Sequence, residues 1–424
     1  MIASEASQAG VVSTLECRGS TGVDRRAQFR DVVIIGWLLV AAMLFLVVCQ
    51  SFQVTAESDF VQMYSFGRLL NHHPAGQLYN FAIQQKVSAE VKPLREGAYG
   101  PTPYPPFVAL FFEVFSRLDF PTAYHVWMLL TIGLYLSGLL LLMNRFLPRD
   151  ALYRSAWACG ALLFWPFMGR TLLNGQLAGF GFFVMSLAIY WQDRRWCYLS
   201  GLALSACCYK PTLLIWVVPL LVVYGSIKTL CGFGFGVAAL LATTVIGFGG
   251  TQIFQQYLHA LGQLGRWEQF MQRADRLDLL GFWSIIFGTP GRFSGMIALL
   301  IGAALIFLLW RLLLTRQGPN RLVAAWAITL TCSLVVNVYT QIYDSTLLIV
   351  GMTVTAEQLR STHPRLFRAL CALVLPISYS TTWVASEYKI QMLTVFLGLL
   401  AVIQARAYLC QRLIAISADH PTNP

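Results

Sequence analysis

Long uninterrupted apolar runs are the feature that most limits what this chain can fold into. A membrane-spanning helix needs ~20 predominantly apolar residues, and runs near that length recur throughout the 424 residues. The full-length runs are 32–49, 121–143, 152–169, 175–192, 229–248, 293–314, 321–338, 366–384 and 389–409. Shorter apolar segments are 105–118, 197–209, 211–224, 279–288 and 344–356.

These runs predict an all-α polytopic membrane protein. In lipid, only helices and closed barrels satisfy every backbone polar group, and the runs do not alternate in polarity as barrel strands do. Short apolar segments beside full-length ones are typical of broken or re-entrant helices that line a cavity. We therefore expect about 11–13 transmembrane or re-entrant helices, each long one near 20 residues.

Composition excludes the aqueous classes of protein. Hydrophobic residues make up 57 % and charged residues only 12 %, against roughly 25 % charged residues in an ordinary soluble domain. So few charged residues could not cover the surface of a soluble globular protein. The same low charge and high hydrophobicity argue against a disordered chain. The net charge of +11 does not indicate a nucleic-acid partner, because most basic residues lie beside the ends of apolar runs.

The basic clusters predict the topology, because Lys and Arg are enriched in cytoplasmic loops. They place a cytoplasmic tail at 1–31, a single transmembrane domain at 32–409 and a second cytoplasmic tail at 410–424. Loops 50–104 and 250–280 are then external. One conflict remains, since full crossings by both 105–118 and 121–143 would put Arg145 outside. We expect either that 105–118 is re-entrant or that one basic loop breaks the rule.

The cysteines and the N-terminus indicate neither a disulfide framework nor a cleaved signal. The chain has ten cysteines, none in the two loops predicted to be external, and no CxxC metal spacing. About thirty polar residues precede the first apolar run, which is too long for the n-region of a signal peptide. We interpret 32–49 as an uncleaved signal anchor.

The first external loop is long and contains two helical patterns. Apolar residues at spacings of three and four predict a helix over 59–70, and a second amphipathic stretch covers about 80–92. Such helices lie along a membrane surface. The loop at 250–280 is also amphipathic and ends in Arg266-Trp267; it either shapes an acceptor entrance or anchors to headgroups.

Asp59 is the strongest candidate for a functional acid. Several carboxylates lie near the external membrane boundary, where a held charge is costly and suggests function: Glu57, Asp59, Glu113, Asp344 and Glu387. Asp59 follows the first spanning run by ten residues and opens the predicted surface helix. The competing interpretation is a helix N-cap, a position that favours Asp.

Four motifs in order, and a fifth of which only the end is matched, resemble glycosyltransferase family 87, whose members are polyprenyl-phosphate-sugar-dependent membrane enzymes of the GT-C superfamily. The first four cover roughly residues 32–225. The motifs are Asp59-Phe60-Val61…Tyr64…Gly67-Arg68-Leu69-Leu70…Gly76-Gln77-Leu78-Tyr79, Tyr104-Pro105-Pro106-Phe107, Asn174-Gly175-Gln176, Gly201…Lys210-Pro211, and Tyr343-Asp344. The resemblance implies a GT-C-type fold and hexosyl transfer. Mannosyl-transferring members carry a Ser-Pro and a His before the last motif, and residues 337–341 have neither.

The resemblance assigns roles to the candidate residues. Asp59 is the expected general base that accepts the proton of the acceptor hydroxyl. A fixed cation should stabilise the leaving phosphate; Lys210 is the first choice, and Arg68 and Arg170 are alternatives whose guanidinium forks suit phosphate. Sugar or acceptor contacts are expected from Tyr104, Asn174, Gln176, Tyr343 and Asp344. Asp344 is alternatively a second acid or the partner of a cation.

The sequence therefore predicts an inverting glycosyltransferase of the bacterial cytoplasmic membrane with its active site on the external face. Its expected partners are a polyprenyl-phosphate sugar, mannose-like first of all, a glycolipid or glycan acceptor and the lipid bilayer. No nucleic acid, cofactor or metal is expected, although Glu57-Ser58-Asp59 has the spacing of an acidic metal motif. The alternatives are a transporter or lipid-linked-glycan flippase, in which paired half-repeats would be expected, and a membrane scaffold without catalysis.

Overall fold

The protein is almost wholly helical. The computed structural model describes residues 5–52, 58–91, 102, 104–267, 273–288, 292–314 and 321–419. These residues contain no strand, and one isolated bridge joins Arg276 and Gln341. The chain is an all-α polytopic membrane protein, as the apolar runs predict.

The helices follow the apolar runs closely. The α-helices are α1 Glu5–Ser51, α2 Phe60–His72, α3 Phe81–Val91, α4 Pro106–Phe115, α5 Phe120–Phe146, α6 Ala151–Leu163, α7 Ala178–Asp193, α8 Cys197–Ser205, α9 Val217–Val223, α10 Ile227–Phe248, α11 Gln252–Trp267, α12 Leu279–Phe287, α13 Arg292–Leu314, α14 Arg321–Val336, α15 Leu348–Thr362, α16 Pro364–Tyr388 and α17 Met392–Asp419. A π-helical segment covers Pro166–Leu173, and 3₁₀ turns cover Ala75–Gln77, Ala206–Tyr209, Pro211–Leu214, Arg273–Asp275 and Ile342–Leu347.

Five helical segments in the described part of the chain are long and apolar enough to cross a membrane. They are Arg26–Ser51, Phe120–Phe146, Ile227–Phe248, Pro364–Tyr388 and Met392–Cys410. The segments Pro166–Leu173 and Ala178–Asp193 form a pair bent by 119°, which is either a sixth, broken span or a re-entrant loop. Shorter apolar helices cover Pro106–Phe115, Cys197–Tyr209 and Pro211–Val223, as the short apolar segments predict. Two more, Leu299–Leu313 and Arg321–Val336, lie in runs that predict full-length spans.

Helix α4 is too short to cross the bilayer. Its ten residues rise about 15 Å at 1.5 Å per residue, half of the ~30 Å hydrocarbon core. Helix α4 therefore does not span the bilayer by itself, and the side of the membrane on which Arg145 lies stays a prediction.

Apolar side chains cover the outside of the long helices as well as the core. Leu38 of α1 is 65 % exposed, Leu129 of α5 is 70 % exposed and Ile246 of α10 is 80 % exposed, as expected of lipid-facing residues. Helices α8 and α10 cross so closely that a Cβ on Gly201 would lie 1.9 Å from the Thr229 carbonyl oxygen. Small residues at such crossings are typical of membrane helix pairs.

Helix α2 forms where a helix is predicted, but its apolar face contacts protein rather than lipid. Phe60, Met63 and Phe66 are fully buried, and a Cβ on Gly67 would lie 2.2 Å from the Phe112 backbone of α4. The surface interpretation of 59–70 is therefore wrong for its apolar side. The reason is that the short α4 lies beside it and offers an aromatic surface, including Phe112, that excludes water.

Helix α11 packs against the segment that precedes α3. Ile253 is buried and Tyr257 packs against Tyr79 with ring centroids 5.6 Å apart, whereas Leu258 is 65 % exposed. One part of its apolar face therefore contacts the first loop, and another part remains available to lipid.

Candidate active site

Asp59 immediately precedes α2 but does not cap it with its side chain. Its backbone is helical, with φ −61° and ψ −16°, and its carboxylate makes no capping hydrogen bond. Instead, Asp59 Oδ2 accepts a hydrogen bond from Gln176 Nε2. The N-cap interpretation of this carboxylate is therefore wrong, and the side chain is directed toward the Asn174-Gly175-Gln176 turn.

The Asn174-Gly175-Gln176 turn is held against the start of α2 by backbone contacts. Phe60 N donates to the Asn174 carbonyl at 3.1 Å, and Trp127 Nε1 donates to the Gly175 carbonyl at 2.8 Å. Gly175 has φ +70°, and a Cβ there would lie 2.7 Å from the Phe60 Cβ. Glycine is required for both reasons, so this turn brings Gln176 to Asp59.

Tyr104 lies on the other side of Gln176. The Tyr104 hydroxyl donates to Gln176 Oε1 at 3.3 Å, and Tyr79 donates to the Tyr104 carbonyl at 2.7 Å. Burial raises the pKa of Tyr104, and the charges of Asp59 and Asp344 raise it further. The phenol therefore remains protonated at neutral pH, and both carboxylates lie in its neighbourhood.

Burial also sets the proton affinity of Asp59. It raises the pKa of this carboxyl above its ordinary value, while the Gln176 hydrogen bond and the Arg170 charge lower it and the Asp275 charge raises it. A carboxylate that binds protons more tightly than usual is a better general base near neutral pH.

Lys210 and Asp344 form a buried ion pair. Lys210 Nζ lies 2.6 Å from Asp344 Oδ2, with side-chain exposures of 12 % and 2 %. The ammonium also lies 4.6 Å from the Tyr343 ring centroid, a cation–π arrangement. The pair is positioned by two breaks in helical structure, because Lys210 separates two 3₁₀ turns and Asp344 lies in a third. Of the alternatives for Asp344, the structure supports the partner of a cation.

A second ion pair lies near Asp59. Arg170 Nη2 donates to Asp275 Oδ1 at 3.0 Å, and the Thr382 hydroxyl donates to the same oxygen at 2.9 Å. Arg170 Nε has no hydrogen-bond partner among the described residues. Arg170 lies in the π-helical segment before the turn, and such segments are frequent at functional sites.

Asp275 and Thr382 are not among the residues singled out from the sequence. Asp275 lies in the loop assigned to acceptor entry or anchoring, and its signal is the charged Asp275-Arg276-Leu277-Asp278 segment in a chain otherwise poor in charge. Arg276 and Asp278 pair at 2.9 Å, and Thr340 N donates to Asp278 Oδ2 at 3.1 Å. These contacts fix this loop segment beside the residues that precede Tyr343. Thr382 gives no comparable signal, because it is the last of five consecutive hydroxyl-bearing residues, 378–382, none of which the sequence distinguishes from the others.

Most of the predicted residues come together, and Arg68 does not. Asp59, Tyr104 and Gln176 form one hydrogen-bonded chain, and the predicted Asn174, Tyr343, Asp344, Lys210 and Arg170 lie around it. Asn174 is partly exposed. Arg68 lines a different, open cavity of about 510 Å³ between α2 and the α4–α5 connection.

Metal ligands of the usual kinds do not cluster in the described part of the chain. No group of three His, Cys, Asp or Glu side chains there is placed to hold an ion. Glu57, which completes the acidic spacing with Asp59, lies outside the described residues.

Comparison with known families gives one match. The model of glycosyltransferase family 87 matches residues 102–338, which is more than half of the chain. The matched range contains Tyr104, Arg170, Asn174, Gln176 and Lys210, whereas Asp59 and Asp344 lie beyond its two ends. No curated protein and no solved structure matches the chain.

Proposed function

The chain belongs to glycosyltransferase family 87, and we propose that it is an inverting enzyme that uses a polyprenyl-phosphate sugar. The transferred sugar is a hexose, mannose first of all, and the acceptor is a lipid or glycan at the external face of a bacterial cytoplasmic membrane. The observation that carries this proposal concerns the carboxylate of Asp59. It makes no helix-capping hydrogen bond and shares a polar cluster with Arg170 and Lys210.

In the proposed reaction Asp59 accepts the proton of the acceptor hydroxyl. The hydroxyl oxygen attacks the anomeric carbon from the face opposite the phosphate, and a new glycosidic bond forms. The bond between the anomeric carbon and the phosphate oxygen breaks, and its electron pair leaves with polyprenyl phosphate. Oxocarbenium character develops on the sugar, as in glycoside hydrolysis.

Arg170 and Lys210 are the proposed contacts of the leaving phosphate. Charge that develops on this group is stabilised best by donors already in place. Arg170 pairs with Asp275 and Lys210 pairs with Asp344. The Arg170 side chain is 25 % exposed against 12 % for Lys210, and its buried Nε has no hydrogen-bond partner among the described residues. We therefore expect Arg170 to make the closer contact. Arg68 is no longer proposed for this role, because it lines a different cavity.

Asn174 and Tyr343 are the proposed contacts of the transferred sugar. Asn174 is partly exposed, and amides suit sugar hydroxyls as both donor and acceptor. Tyr343 lies between the Lys210–Asp344 pair and the Asp59 side of the cluster.

The external location of this site rests on the distribution of basic residues. Single cysteines at the exposed positions His72 and Gln263 should react with a membrane-impermeant thiol reagent in cells with a permeabilised outer membrane. A cysteine at the exposed Ser361 should react only after the inner membrane is opened. The background must lack Cys49 and Cys231, which are exposed. The reverse labelling pattern would contradict the topology.

Direct assay tests the reaction itself. The purified protein in lipid nanodiscs is supplied with polyprenyl-phosphate mannose, polyprenyl-phosphate arabinose or other lipid-phosphate sugars, together with membrane lipid extract. Transfer from one donor, and loss of one glycolipid in a deletion strain, would support the proposal. Accumulation of an unmodified lipid-linked sugar on the internal face, without transfer by the purified protein, would support the flippase alternative.

A further inference from the structure

Both ends of the Gln176 side-chain amide are already bonded to protein. Its Nε2 donates to Asp59 Oδ2, its Oε1 accepts from Tyr104, and its backbone N donates to the Thr171 carbonyl at 2.9 Å. The residue is only 5 % exposed. A side chain that is buried and occupied at both ends of its amide does not suit the sugar-binding role expected from the sequence.

The direction of the Gln176 amide depends on Tyr104. An amide has a donor end and an acceptor end, and the flipped amide would present its oxygen to the Asp59 carboxylate. The Tyr104 proton is retained, because burial raises the pKa of its phenol, so the hydroxyl can donate to Oε1. This bond, together with the ionised Asp59 carboxylate, which can only accept, holds Oε1 toward Tyr104 and Nε2 toward Asp59.

We propose that Gln176 is a positioning residue for the Asp59 carboxylate and that Tyr104 sets the orientation of its amide. The inference rests on the proposed role of Asp59 as general base. The Gln176 bond occupies Oδ2, so the second carboxylate oxygen is the one presented to the acceptor hydroxyl. The bond also favours the ionised carboxylate, which is the form that accepts a proton.

This assignment predicts a specific kinetic signature. Gln176→Met keeps a similar length and removes both amide bonds, so Asp59 binds its proton more tightly and the acid limb of the rate profile moves to higher pH. On that limb we expect a further loss of about tenfold in kcat beyond any loss at the alkaline plateau, the size expected for one charge-assisted hydrogen bond. The KM for the donor should stay within about twofold.

Tyr104→Phe is the milder second variant. It removes only the hydroxyl that orients the amide, so the acid limb should move in the same direction and by less. This variant keeps the inference testable if Gln176→Met folds poorly. Gln404→Met is the matched control, because Gln404 is also buried and donates through Nε2, to Thr355 at 2.9 Å, outside the cluster.

The experiment is a set of pH–rate profiles for the wild type and the three variants in nanodiscs, with the donor that the wild type uses. An unchanged acid limb in both site variants would overturn the inference. A tenfold increase in donor KM without movement of the acid limb would overturn it too, and would return Gln176 to sugar binding. A folded wild type without any transfer would instead remove the proposed function on which the inference depends.

Discussion

Asp59→Asn separates the chemical role of this carboxylate from its structural one. Asparagine has the same size and can still accept the hydrogen bond from Gln176 Nε2, but it does not accept a proton at neutral pH. The wild-type side chain makes no capping hydrogen bond, so the ~1 kcal/mol that a lost cap usually costs is absent. We expect transfer to fall by ~10²–10⁴, the usual contribution of a general base, in a protein that folds normally.

The same variant should be more stable than the wild type above the acid range. Burial raises the pKa of Asp59 above its unfolded value, so the folded protein binds this proton more tightly than the unfolded chain does. Wild-type stability therefore falls as the pH rises from the unfolded to the folded pKa, by about 1.4 kcal/mol per pKa unit between the two values. Asparagine does not titrate, so the gain in stability of Asp59→Asn over the wild type is absent at low pH and fully present above the pKa of Asp59 in the folded protein.

One preparation of each protein tests both statements. Initial transfer rates are measured with saturating donor, and thermal midpoints are measured in the same nanodiscs between pH 4 and pH 8. Transfer by Asp59→Asn within threefold of wild type would refute the base assignment, and Asp344 would be the next acid to test. A lower midpoint for Asp59→Asn at neutral pH would refute the view that the charged side chain is buried at a cost.

Three further predictions concern the surroundings of Asp59. Arg170→Gln should raise the donor KM by at least about tenfold through loss of a charge-assisted bond to phosphate, while Arg68→Gln, in the separate cavity, should show a KM within twofold of wild type; equal effects of the two would contradict the assignment. Lys210→Met leaves the Asp344 carboxylate buried and without its cation, which typically costs ~3–5 kcal/mol of stability. The double variant with Asp344→Asn should therefore recover the thermal midpoint. If Lys210→Met alone is as stable as wild type, the ion pair contributes little to folding. Gly67→Val should lower the midpoint and abolish transfer, because its side chain meets the α4 backbone; normal activity would show that α2 can separate from α4 without harm to the site.

The membrane architecture could be predicted from the sequence alone. A run of about 20 apolar residues has few alternatives to a spanning helix, because unpaired backbone groups are too costly in lipid. The same local rule predicts the breaks beside Lys210 and at the Asn174-Gly175-Gln176 turn, since each lies where an apolar run is interrupted by polar residues or proline. Both breaks are present in the structure, and the family resemblance is confirmed over residues 102–338.

The partners of the polar side chains were decided by tertiary structure. Lys210 and Asp344 are far apart in sequence and touch only because two broken helices meet. Long-range contacts also decide that Arg170 pairs with Asp275 and that α2 packs against α4. A single sequence does not tell which distant segments lie close together. The local sequence does identify charged residues that need a partner, because the cost of removing a charge from water depends only on how apolar its own position is. Which partner each finds, and whether Asp59 caps a helix or contacts Gln176, depends on which segments pack together.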